Sequence, residues 1–196
     1  MWILAGLGNP ETSHQHNRHN VGFIAVDHII RRYRFSAPKL KFKALFYEGE
    51  IANEKVVILK PQTYMNKSGE SLLMALQFYK VPIEQLLIFY DELDLPLGKF
   101  KVKIGGGNAG HNGLRSLDQH VGVDYWRIRI GIGHPGLKSM VPSYVLSDFT
   151  VVEHQTLDPL LQTMAEHIPV FIRHGAGSFT NKLHQPHQKM ASINKV

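Results

Sequence analysis

Three residue types in this chain could together break an ester or amide with water: a histidine, an aspartate and a set of asparagines. His19 lies in Asn17-Arg18-His19-Asn20, just ahead of a helical pattern. An imidazole is the natural general base near neutral pH. Asp91 stands at the end of an apolar run, where a carboxylate could hold the second ring nitrogen and stabilise the imidazolium. Asn9, Asn66 and Asn112 offer donors and acceptors without charge. Such groups could hold a water, grip a peptide carbonyl or donate to an oxyanion. Gly105-Gly106-Gly107 lets backbone N–H groups come close to a ligand, ahead of a helix start that favours anions. Each residue also has a plainer reading: a histidine that caps or packs, an aspartate that pairs, asparagines and glycines that simply turn the chain. Taken singly, the residues leave both readings open.

Other chemistries lack their residues. Gly6-Leu7-Gly8-Asn9-Pro10-Glu11 matches only the first half of a dinucleotide fingerprint, because Glu11 replaces the third glycine and no helix start follows directly. The chain has no G-x-x-x-x-G-K-S/T loop, no G-x-S-x-G elbow and no H-E-x-x-H. His14, His16 and His19 have no carboxylate at metal-ligand spacing, so no metal is expected. There is no cysteine, which excludes disulfides and thiol nucleophiles and fits a reducing cytoplasm.

These residues need a scaffold, and the composition supplies one. The 196 residues, 43% hydrophobic and 19% charged, suit one globular domain with a sizeable core. No apolar run approaches the roughly 20 residues that span a bilayer, so no membrane is expected. The start, Met-Trp-Ile-Leu-Ala-Gly, lacks a basic region and reads as a strand, so no secretion signal is expected. The net charge is +6, which favours polyanionic partners, nucleic acid above all. Lys99, Lys101, Lys103, Arg115, Arg127, Arg129 and Lys138 are concentrated in one stretch. Glu84, Asp91, Glu92 and Asp94 form an acidic island that carries no base.

Strands and helices alternate along the chain. Residues 2–7 form a strand stopped by a turn. Phe23, Val26, Ile30 and Tyr33 recur at helical spacing. Residues 42–52 and 55–60 read as a hairpin turning at Asn53-Glu54. Leu72, Leu76 and Tyr79 mark a helix stopped by Pro82, and residues 86–90 form a buried strand ending at Asp91. Residues 99–104 and 125–132 alternate, with Phe100, Val102, Ile104, Trp126, Ile128 and Ile130 inward and Lys101, Lys103, Arg127 and Arg129 on solvent faces. Thr150-Val-Val-Glu153 has the form of a capping box that opens a helix through Ile168. Past Gly175 a polar, acid-free tail containing His184 and His187 is expected to fray. The fold class is therefore α/β: a single domain with a twisted mixed, mostly parallel sheet surrounded by helices, over residues 1–185. Sites in such folds gather outside the carboxyl ends of strands. Asn9, Tyr64-Met65-Asn66, Asp91 and His111-Asn112 all fall on loops of that kind.

Six strings occur in order: Gly6-Leu7-Gly8-Asn9-Pro10, Asn17-Arg18-His19-Asn20-Val21-Gly22, Lys60 to Gly69, Asp91 to Pro96, Gly105 to Leu114, and Arg127 to Pro135. Together they resemble bacterial peptidyl-tRNA hydrolases over roughly residues 1–185. The resemblance implies a monomeric, metal-free and cofactor-free cytoplasmic enzyme that cleaves the ester joining a peptide to tRNA. It makes His19 the base, Asp91 its support and Asn9 the contact to the peptide part. Tyr64, Met65, Asn66, His111 and Asn112 would line the substrate, with His14 standing where the family commonly has Tyr. Lys103 and Arg129 match positions that grip the tRNA phosphate end, and Lys101 and Arg127 lie beside them. Glu11 after Pro10, and Tyr90 where a His often precedes the Asp, depart from the pattern. Two other classes share parts of this reading. A non-catalytic RNA-binding module would not need His19 or Asp91, and a small-molecule esterase would not need the basic strands.

Overall fold

The computed structural model describes residues 1–184. Seven strands form one sheet: β1 (Trp2–Gly6), β2 (Lys39–Lys41), β3 (Ala44–Ile51), β4 (Glu54–Pro61), β5 (Leu86–Glu92), β6 (Phe100–Ile104) and β7 (Trp126–Gly131). Their order is β2-β3-β4-β1-β5-β7-β6. The four central strands, β4, β1, β5 and β7, are mutually parallel, and the antiparallel pairs lie at the two edges. The sheet is thus mixed and mostly parallel at its centre, as expected.

Among the described residues there are five α-helices: α1 (Val21–Arg32), α2 (Ser68–Tyr79), α3 (Asn112–Val121), α4 (Val141–Val145) and α5 (Val151–His184). The alternation of the central strands assigns their side chains to two cores. Leu4, Leu87, Phe89, Ile128 and Ile130 pack with α1 and α5. Ile3, Ala5, Leu86, Ile88 and Tyr90 pack with α2 and α3. No described helix is long and apolar enough to cross a membrane.

Two close approaches set the site. A Cβ on Gly6 would lie 2.2 Å from the Gly22 carbonyl oxygen, and one on Gly22 would lie 2.3 Å from the Phe89 carbonyl oxygen. The start of α1 therefore rests directly on the ends of β1 and β5, which brings His19 over Asp91. In the opening string Gly6 serves this backbone contact, and Gly8 leaves room for the Phe23 ring.

Several expectations need correction. The hairpin turns at Ala52-Asn53, both at positive φ (59° and 63°), one residue before the expected place. Ile104 is 46% exposed, because it is the last residue of β6, which is an edge strand. Residues 176–184 are helical where fraying is expected. Gly175 breaks the helix with φ 78°, yet the helix resumes to His184. Phe179 is fully buried, and the His184 ring stacks on Phe100 at 5.2 Å between centroids. Apolar side chains on the resumed helix offset the ordering cost that its polar neighbours cannot. His187 and the tail 186–196 lie outside the described residues.

Candidate active site

The parallel strands β4, β1, β5 and β7 all end on one rim, and the loops leaving β1, β4 and β5 meet there. Asp91 is the sixth residue of β5 and is almost fully buried. His19 Nδ1 lies 2.9 Å from Asp91 Oδ2, and His111 Nε2 lies 2.8 Å from Asp91 Oδ1. The two imidazole rings lie side by side, tilted at 47°, with centroids 4.9 Å apart.

The hydrogen bonds define the ring nitrogens. His111 is the N-cap of α3, and its Nδ1 accepts from the backbone N–H groups of Gly113 and Leu114 at 3.1 and 3.3 Å. Its proton is therefore on Nε2, which donates to Asp91. A carboxylate can only accept, so His19 donates through Nδ1 and keeps Nε2 for water or substrate. Among the described residues, Nε2 of His19 has no hydrogen-bond partner.

Burial opposes charge on both partners of this pair, and the pairing outweighs it. Desolvation pulls the His19 ring down, but the charge and hydrogen bond of Asp91 raise it above the ordinary imidazole value. Desolvation pushes the Asp91 carboxyl up, but His19 and His111 hold it well below the usual carboxylate range. Asp91 is thus ionised wherever His19 can act as a base. The ligand atoms of His19, Asp91 and His111 lie within 4.8 Å of one another. A cation could enter only by displacing the ring protons that now bridge them. This trio is not the His14, His16 and His19 set weighed from the sequence.

Asn9 is held from both sides. Its N–H donates to Asn20 Oδ1, and Asn20 Nδ2 donates back to the Asn9 carbonyl, both at 2.9 Å. Asn9 Oδ1 accepts from the Met65 N–H at 3.0 Å. The amide group of Asn9 is therefore left as a fixed donor. Met65 is buried, and its Sδ would sit 2.7 Å from a Cβ on Gly113. It fills the gap between the loop after β4 and the start of α3. Tyr64 is 62% exposed, and Asn66 and Asn112 are exposed on the same rim. His14 is tied to Asn17 at 2.6 Å and to Glu11 at 3.0 Å, away from Asp91's partners. A cavity of about 390 Å³ opens from Asn9 and Asn20 past Phe23, Lys60, Gln62 and His154. His19 and Asp91 do not line it.

Four basic residues share one sheet face, because Lys101 is opposite Arg129 and Lys103 is opposite Arg127. Lys101 is exposed, and Lys103 and Arg129 are half-buried. Burial and the nearby Arg129 and Arg127 charges push the Lys103 ammonium down, with Glu92 only partly offsetting them. Arg129 Nε donates to Glu92 Oε2 at 2.8 Å. Arg127 corrects the sequence reading. It is fully buried, donating to the Gly107 carbonyl at 2.9 Å and to Asp118 Oδ1 at 3.1 Å. The glycine loop and α3 cover the place that alternation alone left open to solvent.

The family model for peptidyl-tRNA hydrolase matches residues 3–192. The chain belongs to the peptidyl-tRNA hydrolase family. It is 51% identical to the peptidyl-tRNA hydrolase of Rhizobium etli, over 93% of this chain and 76% of that protein. It is 51% identical to that of Azorhizobium caulinodans, over 94% of this chain and 90% of that one. The crystal structure of the Acinetobacter baumannii peptidyl-tRNA hydrolase superposes with a TM-score of 0.89 at 35% identity, covering 93% of this chain and 94% of the other. A peptidyl-tRNA hydrolase is an ester hydrolase, and the rim holds an imidazole paired with a buried carboxylate and a fixed amide donor. Asn20, Glu92 and Arg18 were visible in the sequence only as members of longer strings. Their partners lie on other segments, so spacing could not reveal what they do.

Proposed function

We propose that this chain hydrolyses the ester between a peptide, or an N-blocked amino acid, and the 3′ ribose of tRNA, with His19 as general base. His19 Nε2 takes a proton from water as the water oxygen attacks the ester carbonyl. The new charge on the ring is offset by Asp91 at 2.9 Å. When the tetrahedral intermediate collapses, the carbonyl carbon–ribose oxygen bond breaks, and the imidazolium returns its proton to the leaving oxygen. The products are a free carboxylic acid and tRNA. Base catalysis of this kind supplies about 10²- to 10⁴-fold.

Asn9 Nδ2 is the donor that meets the peptide part, and the adjoining cavity gives that part room. Tyr64, Asn66 and Asn112 contact the terminal nucleotide and the ester from the rim. Lys101, Lys103 and Arg129 meet the tRNA backbone, which suits recognition by phosphate and shape. The working unit in this reading is a single chain, and the absence of cysteine fits a reducing cytoplasm.

The observation that carries this reading is the His19–Asp91 contact on the rim of a chain in this family. The test is hydrolysis of N-acetyl-aminoacyl-tRNA and of free aminoacyl-tRNA by the wild type and His19→Ala, with tRNA binding measured separately. The blocked substrate should be cleaved by the wild type alone, while the variant still binds tRNA. Near-normal turnover by His19→Ala would remove it as the base. Binding without cleavage by the wild type would favour an RNA-binding module, and salt-insensitive cleavage of simple esters a small-molecule esterase.

A further inference from the structure

Arg18 is a buried arginine beside the base, and the reaction itself gives it nothing to do. It is 6% exposed. Its Nη2 donates to both oxygens of Glu153 at 2.8 Å. Its Nη1 donates to the Ser147 hydroxyl at 2.9 Å, to the Ser147 carbonyl at 3.2 Å and to the Asp148 carbonyl. The guanidinium also lies over the rings of Tyr144 and Phe149, 4.6 and 5.3 Å from their centroids. All of these partners come from residues 144–153, more than 120 positions away in the chain.

The backbone follows the same path. The Arg18 N–H donates to the Ser147 carbonyl at 3.0 Å, and the Phe149 N–H donates to the His16 carbonyl at 3.3 Å. Asn17 Nδ2 donates to Asp148 Oδ1 at 2.6 Å, and Asn17 forms a β-bridge with Asp148. The far side is anchored as well. Glu153 closes the capping box with Thr150, and the Tyr144 hydroxyl donates to the Ile132 carbonyl at the end of β7.

Arg18, His19 and Asn20 form one three-residue 3-10 turn. Successive side chains in such a turn point about 120° apart. Arg18 goes to α5, His19 to Asp91 and Asn20 to Asn9. Rotating the turn to satisfy one partner would spoil the other two. We propose, on the reading that His19 is the base, that Arg18 is a positioning residue for hydrolysis: its latch to Glu153 and residues 147–148 sets the orientation of the turn that carries His19 and Asn20. The segment between β7 and α5 is thereby coupled to the reacting centre through Arg18.

Lysine cannot reproduce this contact, because it lacks the planar fork that meets two carboxylate oxygens and two carbonyls together. The experiment compares Arg18→Ala, Arg18→Lys and Glu153→Ala with the wild type in steady-state hydrolysis of N-acetyl-aminoacyl-tRNA. It also follows the His19 Nδ1 proton by NMR, and melting temperature is recorded for each variant. Arg32→Ala, which removes an exposed pair with Glu166, serves as the control. The expected result is a kcat loss of about 10- to 100-fold in Arg18→Ala, with KM within about threefold. Arg18→Lys should recover part of that loss, and the hydrogen-bonded Nδ1 proton signal should broaden or vanish in step with kcat.

If Arg18→Ala does not fold, Glu153→Ala carries the test, because Glu153 lies outside the turn and is partly exposed. Folded variants with unchanged kcat and an unchanged Nδ1 proton overturn the positioning role while leaving the base assignment intact. Full activity in His19→Ala would overturn the base assignment itself, so the two failures are distinguishable.

Discussion

His111 donates its Nε2 proton to one oxygen of Asp91, 2.8 Å away, while its other ring nitrogen caps α3. The Asp91 oxygen left over is the one that meets His19. A residue that the sequence places among the substrate contacts thus holds the carboxylate in place and fixes its own tautomer through two backbone N–H groups. Replacing it tests two roles that can be separated. His111→Ala should lose about 1 kcal/mol of stability with the cap and lower kcat about tenfold by freeing Asp91. His111→Asn restores a good cap but cannot reach Asp91. It should recover the melting temperature and leave kcat low. Recovery of both would show that only the cap matters.

The pH profile follows from the direction of the His19 shift. A general base must be unprotonated, and Asp91 raises the His19 ring above its ordinary value. The acid limb of kcat should therefore lie above the ordinary imidazole range. In Asp91→Asn the raising charge is gone, so the limb should move to lower pH while the plateau falls. A limb that stays in place would separate Asp91 from the titration of His19.

Stability should report the same pair with opposite signs at the two ends. His19 is raised, so its contribution is full below the ordinary imidazole value and lost as pH rises through the raised one. Asp91 is lowered, so its contribution is full above the ordinary carboxylate value and lost as pH falls through the depressed one. The difference in melting temperature between wild type and Asp91→Asn should be greatest in the mildly acidic window between those ordinary values. A difference independent of pH would contradict the ion pair.

The basic strands divide into two kinds of residue. Lys103→Ala or Arg129→Ala should raise KM and reduce the slope of log KM against log salt by about 1 for each phosphate that is no longer neutralised. Arg127→Ala should behave differently, because that guanidinium is buried against Gly107 and Asp118. It should cost up to about 3–5 kcal/mol by removing the only cation paired with Asp118 among the described residues, which keeps just the Tyr125 hydroxyl and the Asn108 amide, read as a drop in denaturation midpoint. Loss of salt dependence in Arg127→Ala with unchanged stability would return it to the RNA surface.

Asn20 holds Asn9 through two hydrogen bonds, so its removal should act through Asn9. Asn20→Ala should lower kcat/KM for N-blocked aminoacyl-tRNA by about 10- to 100-fold, the equivalent of about 1–3 kcal/mol for unsatisfied groups. Preference for blocked over free aminoacyl-tRNA should narrow, as it should in Asn9→Ala. An unchanged preference in both variants would take the peptide contact away from Asn9.

Much of this molecule is written locally. Period-2 runs, helical spacing and a capping box are properties of neighbouring residues, so six of the strands, the helices they alternate with and the polar loops at the strand ends were readable without coordinates. Residue type made His19, Asp91 and Asn9 candidates, and the resemblance of six ordered strings to one family singled them out. What the folded chain alone decided is which side chains meet across distant segments. Alternation placed Arg127 and Arg129 on one face but said nothing about the glycine loop that covers one and spares the other. Composition marked the residues after Gly175 as polar, yet Phe179 finds a buried seat and keeps the helix going. Arg18, His19 and Asn20 are three adjacent letters whose partners lie on α5, β5 and the loop after β1. Partnership at that separation depends on packing, and packing is a property of the whole chain.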